Sequence, residues 1–148
     1  MKQSTRMRPM RALLVDDDAG DRRLSREALT QGKLHLEIDE AENGDDAMAL
    51  LRAGSNDAES TLPDVILLDL NMPGMHGREV IEAVRSDPKL EHIPIVVLTT
   101  SQAEKDIVTS YKLGANCYIT KPVDMDQFRE VISVLEDFWF TIVKLPRV

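Results

Sequence analysis

The sequence predicts an α/β fold, a doubly wound parallel sheet of five strands with a helix after each, and three observations predict it. Short runs of large aliphatic and β-branched residues, such as Val65-Ile66-Leu67-Leu68 and Ile95-Val96-Val97-Leu98, read as strands buried on both faces. Amphipathic helical patterns separate these runs, as crossovers between parallel strands require. Each run ends in a polar or charged residue and a loop, so the strand ends gather on the one edge where open α/β sheets bind ligands.

Arg11-Ala12-Leu13-Leu14-Val15 is the first strand and runs out into Asp16-Asp17-Asp18. The helix after it takes Asp18 or Asp21 as its cap, turns Leu24, Ala28 and Leu29 inwards and ends at Gly32. Leu34, Leu36 and Ile38 alternate with His35, Glu37 and Asp39, the pattern of an edge strand with one wetter face. Asn43-Gly44 turns the chain into a short helix carrying Ala47, Leu50 and Leu51, and Ala53 to Thr61 is small and polar, a surface loop. The central strand, Val65 to Leu68, delivers Asp69 to the rim of the sheet, and Pro73, Gly74 and Gly77 forbid its continuation. Val80, Ile81 and Val84 mark a helix from Gly77 to Asp87, stopped by Pro88. Pro94 opens the fourth strand, which ends in Thr99-Thr100-Ser101. A helix from Gln102 to Leu113 follows, closed by Gly114 as a left-handed cap. Cys117-Tyr118-Ile119-Thr120 is the fifth strand, ending in Lys121-Pro122, and the last helix runs from Asp124 towards Ile142.

With 148 residues, 43% hydrophobic and 30% charged, the chain is one globular domain with a full core. A net charge of −8 argues against a nucleic-acid surface, which needs clustered Lys and Arg. A lone cysteine, Cys117, cannot form an internal disulfide and fits a reducing compartment. Met1 to Arg11 is basic but lacks the apolar core of a signal peptide, and no run reaches transmembrane length, so neither a membrane nor export is expected. The expected location is cytoplasmic.

At the predicted strand ends stand Asp16 and Asp17, then Asp69, Thr99 and Lys121. Two unit charges about 4 Å apart repel by about 4 kcal/mol at an effective dielectric near 20, so three clustered carboxylates need a cation or raised pKa values. All-oxygen ligands with open positions suit Mg²⁺. An ammonium and a hydroxyl beside them complete a layout for phosphoryl transfer, with Asp69 as nucleophile and the cations neutralising phosphoryl oxygens. A salt-bridged acidic cluster without chemistry is the plainer alternative.

These residues also carry a family resemblance. The acidic pair Asp16-Asp17, the run Asp69-Leu-Asn-Met-Pro-Gly-Met-His-Gly77, Thr99, Tyr118 and Lys121-Pro122 resemble the receiver domain of two-component response regulators, over about Arg11 to Glu136. The resemblance implies a flavodoxin-like sheet of order 2-1-3-4-5 and Asp69 as acceptor of phosphate from a sensor kinase's phosphohistidine. It implies Mg²⁺ held by Asp17, Asp69 and the carbonyl of Asn71, with Asp16 acting through water. It further implies that Lys121 pairs with the phosphoryl group, that the Lys121–Pro122 peptide bond is cis, and that Thr99 and Tyr118 act as the switch. Thr100 departs from the family, in which small residues are common at that place. Residues 1–10, basic in composition, are expected to be a flexible leader; the resemblance assigns 11–136 to the receiver and leaves 137–148 as a C-terminal aromatic extension, the expected dimerisation arm. The chain ends soon after the receiver, so no DNA-binding output domain is expected, and output runs through contact with a downstream protein or onward to a phosphotransfer protein.

In the tail, Phe128, Val131, Ile132, Leu135, Phe138, Trp139, Ile142 and Val143 form an apolar helical stripe. Phe138, Trp139 and Phe140 point three ways about a helix, so one domain cannot bury all three. They either fold back in part or meet a partner. Phe-Trp-Phe-Thr-Ile-Val-Lys-Leu-Pro is similar to the extension of receivers that serve phytochrome kinases, which implies a bacteriophytochrome as sensor kinase. It also implies a homodimer held by Phe138, Trp139, Phe140, Leu145 and Pro146. Two rival readings fit less well. A phosphatase of the haloacid-dehalogenase type carries a second Asp two residues after its nucleophile, where this chain has Asn71, whose amide transfers no proton. A nucleotide- or flavin-binding module wants a glycine-rich loop after the first strand, where this chain has Asp16-Asp17-Asp18-Ala19-Gly20-Asp21. The chain is therefore expected to be no enzyme beyond its own phosphorylation and dephosphorylation.

Overall fold

A computed structural model describes residues 10–31, 36–57, 61–72 and 74–138. Five strands, β1 (Met10–Val15), β2 (Leu36–Ala41), β3 (Val65–Leu68), β4 (Ile95–Thr99) and β5 (Cys117–Thr120), alternate with five helices. These are α1 (Ala19–Thr30), α2 (Gly44–Ser55), α3 (Gly77–Ser86), α4 (Glu104–Leu113) and α5 (Met125–Asp137). All strand pairs are parallel and the sheet order is β2-β1-β3-β4-β5, as the resemblance implies. The alternation read as an edge strand does lie at an edge, as β2.

Because side chains alternate across a strand, the sheet serves two cores. Leu13, Val15, Ile66, Leu68, Ile95 and Val97 pack with Met48 and Leu51 of α2 and with Val80, Ile81 and Val84 of α3. Ala12, Leu14, Val65, Leu67, Val96 and Leu98 pack on the other side with Leu29 of α1 and with Phe128, Ile132 and Leu135 of α5. The edge strand β5 divides in the same way, with Tyr118 against the first core and Cys117 and Ile119 against the second. Burial pushes the Cys117 thiol upward, which keeps it protonated as a small core residue.

Helix starts follow their caps. Asp18, not Asp21, caps α1 by accepting the Asp21 N–H at 3.0 Å, and Asn43 caps α2 by accepting from Asp46 at 2.8 Å. Asp124 caps α5, accepting from Asp126 at 2.7 Å. Gly114 ends α4 in the left-handed region at φ 116°, as expected. Three expectations change. Helix α2 runs on through Ala53, Gly54 and Ser55, which composition assigned to a loop, because Gly54 is buried beside Thr61 and Leu62. Helix α4 begins at Glu104 rather than Gln102, since Ser101 accepts the Ala103 N–H at 3.3 Å and holds the entry loop. No cis peptide occurs among the described residues, so the implied cis bond between Lys121 and Pro122 is not found; X–Pro bonds favour trans by only ~0.5–1 kcal/mol. Gly32 and Leu34, where the first helix was expected to end and the second strand to begin, lie outside the described residues, as does most of the tail.

Candidate functional site

The site is built from the residues that follow the last rung of each strand. The Asp16 N–H donates to the Ala41 carbonyl at 3.1 Å, Asp69 to Val15 at 2.9 Å, and Lys121 to Thr99 at 2.7 Å. Each of these three residues is thus tied by its backbone to the neighbouring strand, which fixes its place on the rim. The loop after Asp69 is folded back by Gly77, whose N–H donates to Leu70 at 3.1 Å and which has no room for a side chain. A Cβ there would meet the Asp69 carbonyl oxygen at 2.5 Å and the Leu70 Cα at 2.7 Å. Both obstacles are backbone. Gly77→Ala is therefore expected to cost ~1–3 kcal/mol of unfolding free energy in urea titrations, and wild-type stability in that variant would show that the loop yields.

Asp16, Asp17 and Asp69 each offer a carboxylate oxygen within 4.8 Å of one another, the first and last buried and Asp17 exposed. Lys121, 6% exposed, comes against this group from the end of β5. Its ammonium pairs with Asp16, donates to Asp21 at 2.9 Å and lies 3.6 Å from Asp69 Oδ2. Burial pushes the Asp16 carboxyl up to about 6, against the pull of Lys121 and of the Asp18 N–H. Burial alone would lower the Lys121 ammonium; the hydrogen bond and charge of Asp16, with Asp69 and Asp21, outweigh it and raise it. Lys121 therefore stays charged. The oxygen donors, one of them open to water, fit a hard divalent cation that keeps part of its hydration.

The other residues singled out by sequence stand around this group. Asn71 is exposed and its N–H reaches Asp69 Oδ1 at 3.3 Å. Thr99 is fully buried, and its hydroxyl oxygen stands 3.5 Å from the Ser101 N–H. Tyr118 is half-buried, donates from its hydroxyl to the Ser101 carbonyl at 2.9 Å, and is held protonated by that burial. Of the tail residues, Phe138 is described and 47% exposed; Trp139, Phe140, Leu145 and Pro146 lie outside the described residues.

Sequence reasoning missed four side chains. Asp21, read only as a candidate cap, sends its carboxylate to Lys121. Ser101 Oγ donates to Asp106 at 2.6 Å, and Asp106 pairs with Arg78 of α3, so a polar chain joins α3 to the carbonyl that holds Tyr118. These two partners hold the Asp106 carboxyl below its usual range, Ser101 first. The available signal was placement: Asp21 opens α1 on the rim where the strands end.

Residues 12–133 match the response regulator receiver domain family. The chain belongs to that family. This receiver is 40% identical over 138 residues to the response regulator Rcp1 of Synechocystis sp., with 93% of this chain and 94% of that protein covered. Among solved structures, it resembles the phosphorylated cyanobacterial phytochrome response regulator RcpA, with TM-score 0.88 and 42% identity over 95% of this chain and 100% of that one. It also resembles the Mn²⁺-bound form of Rcp1, with TM-score 0.86 and 40% identity over 94% and 100% of the two chains. The receiver is thus a signalling protein close to phytochrome response regulators, and such proteins answer to histidine kinases. No helix among the described residues is long and apolar enough to cross a membrane.

Proposed function

We propose that this receiver is a cytoplasmic phosphorylation switch that takes a phosphoryl group onto Asp69 from a sensor histidine kinase of the phytochrome type. One observation carries it: three carboxylates lie within 4.8 Å of one another, and the buried Lys121 ammonium stands beside two of them, Asp16 and Asp69. An Asp69 oxygen attacks phosphorus while the donor's P–N bond breaks, and the electron pair leaves with the imidazole, which takes up a proton. Asp16, Asp17, Asp69 and Asn71 would hold Mg²⁺, which supplies positive charge to the phosphoryl oxygens when bound. Lys121 supplies a second charge without a metal. Thr99 and Tyr118 respond, and the signal leaves by contact with a downstream protein or by onward phosphotransfer. The phytochrome partner is supported by likeness to RcpA, a cyanobacterial phytochrome response regulator. Purified protein given Mg²⁺ and acetyl phosphate should gain one phosphoryl group by intact mass. An unchanged mass, with and without Mg²⁺, would sink the reading.

The division into a leader over 1–10, a receiver over 11–136 and an extension over 137–148 belongs to the same proposal, as does a homodimer held by the extension. Val134 is 62% exposed and Phe138 47%, so α5 brings an apolar face up to the tail. Aromatics bury about 150–250 Å² each, and at ~25 cal/mol per Å² a cluster of three is worth several kcal/mol before association costs. Truncation after Asp137 is expected to convert a dimer into a monomer that still accepts phosphate. Sedimentation of both chains decides it, and a full-length monomer at high micromolar concentration would return the aromatics to the fold-back alternative.

A further inference from the structure

Lys121 does not rest on the phosphoacceptor. Its ammonium has three N–H groups; one goes to Asp16 and one to Asp21 at 2.9 Å, whereas the nearest Asp69 oxygen is 3.6 Å away, beyond hydrogen-bond length. Asp21 reaches it across 100 residues of sequence, from the first turn of α1, where its own N–H is fixed by Asp18. It is also not among the three carboxylates that lie close enough together to share a cation. A metal taken up by Asp16, Asp17 and Asp69 therefore competes with Lys121 for Asp16 but leaves Asp21 as a standing anchor.

We propose that Asp21 is a positioning residue that holds the Lys121 ammonium back from Asp69 and so restrains phosphoryl uptake. The proposal rests on Asp69 being the acceptor. Its physical content is competition. While Asp21 keeps its charge, the ammonium divides between an α1 carboxylate and the reacting one, and the incoming phosphoryl group meets one more negative neighbour. Neutralising Asp21 leaves its size in place, lets Lys121 close on Asp69 and removes that repulsion. Asp21 is about a third exposed, so water screens part of the effect.

The experiment compares wild type, Asp21→Asn, Asp21→Glu, Lys121→Met and the Asp21→Asn/Lys121→Met double variant, each given Mg²⁺ and acetyl phosphate and followed by intact mass. Asp21→Asn is expected to be phosphorylated about three- to ten-fold faster, with Asp21→Glu back at the wild-type rate. In the Lys121→Met background the Asn substitution should accelerate uptake by much less, since only the lost repulsion remains. A crystal structure of metal-free Asp21→Asn should show the Lys121 Nζ to Asp69 separation closing from 3.6 Å to hydrogen-bond length. An unaltered or slower rate overturns the proposal, and so does an equal acceleration without Lys121, which would make Asp21 a mere surface charge. A wild type that takes up no phosphate sinks the Asp69 reading instead. The crystallographic separation still decides the anchoring in that event, and an unchanged 3.6 Å rejects it.

Discussion

Asp69→Asn takes up no phosphoryl group under conditions in which the wild-type chain gains one. An amide oxygen has neither the charge nor the lone-pair availability of a carboxylate, so attack on phosphorus loses its nucleophile while the rim keeps its shape. The substitution is nearly isosteric, and the Asp69 N–H bond to Val15 that anchors the position is a backbone contact that survives it. Folding should therefore persist and, in the absence of metal, improve by about 1 kcal/mol as one of three crowded charges disappears. Loss of uptake together with equal or higher stability separates chemistry from damage. A variant phosphorylated as fully as wild type would remove Asp69 from the mechanism.

The second large effect falls on stability. Lys121→Met deletes the buried cation that faces Asp16, Asp21 and Asp69 and leaves their charges opposed only by water and by whatever metal is added. Breaking a buried pair from one side costs ~3–5 kcal/mol, because the surviving charge stays desolvated. The pH dependence has a definite sign. Burial raises the folded-state Asp16 carboxyl from 3.8 to about 6, with Lys121 pulling against it. Between those values the folded chain holds a proton that the unfolded chain has released, so this group's contribution falls as pH rises through the window and levels off above it. Without Lys121 the carboxyl rises further and the window extends upward. The variant should thus lose most at about pH 7.5, lose less at about pH 5, and recover part of the deficit in millimolar Mg²⁺ by linkage. Urea titrations at both pH values, with and without Mg²⁺, test this, and equal stability of variant and wild type at the higher pH would show that the ammonium is not balancing the carboxylates.

Much of this architecture could be read from residues alone because burial on two faces leaves a plain mark. Val65 to Leu68 and Ile95 to Leu98 are apolar without interruption, so strand number, direction and the shared rim follow, and with them the meeting of Asp16, Asp17, Asp69 and Lys121. Order along the sheet came from family resemblance rather than from periodicity. What stayed hidden depends on contacts across sequence or on backbone crowding. Asp21 meets Lys121 only once α1 and β5 are placed, and Arg78 meets Asp106 only once α3 lies beside α4. Helix α2 outlasts the composition of its last turn because packing against Thr61 and Leu62 overrides the weak propensity of Gly54. Gly77 was legible as a breaker of the strand, but not as the residue on which the Asp69 carbonyl rests.

The divided loyalty of β5 has a consequence for how proteins of this kind diversify. Tyr118 belongs to the layer of α2 and α3, while Cys117 and Ile119, its neighbours in the chain, belong to the layer of α1 and α5, the helix from which residues 139–148 continue. A substitution at 118 disturbs packing on one side of the sheet, and one at 117 or 119 disturbs packing on the other. Lineages descending from such a chain can repack either layer while inheriting the other intact, by changes at adjacent codons.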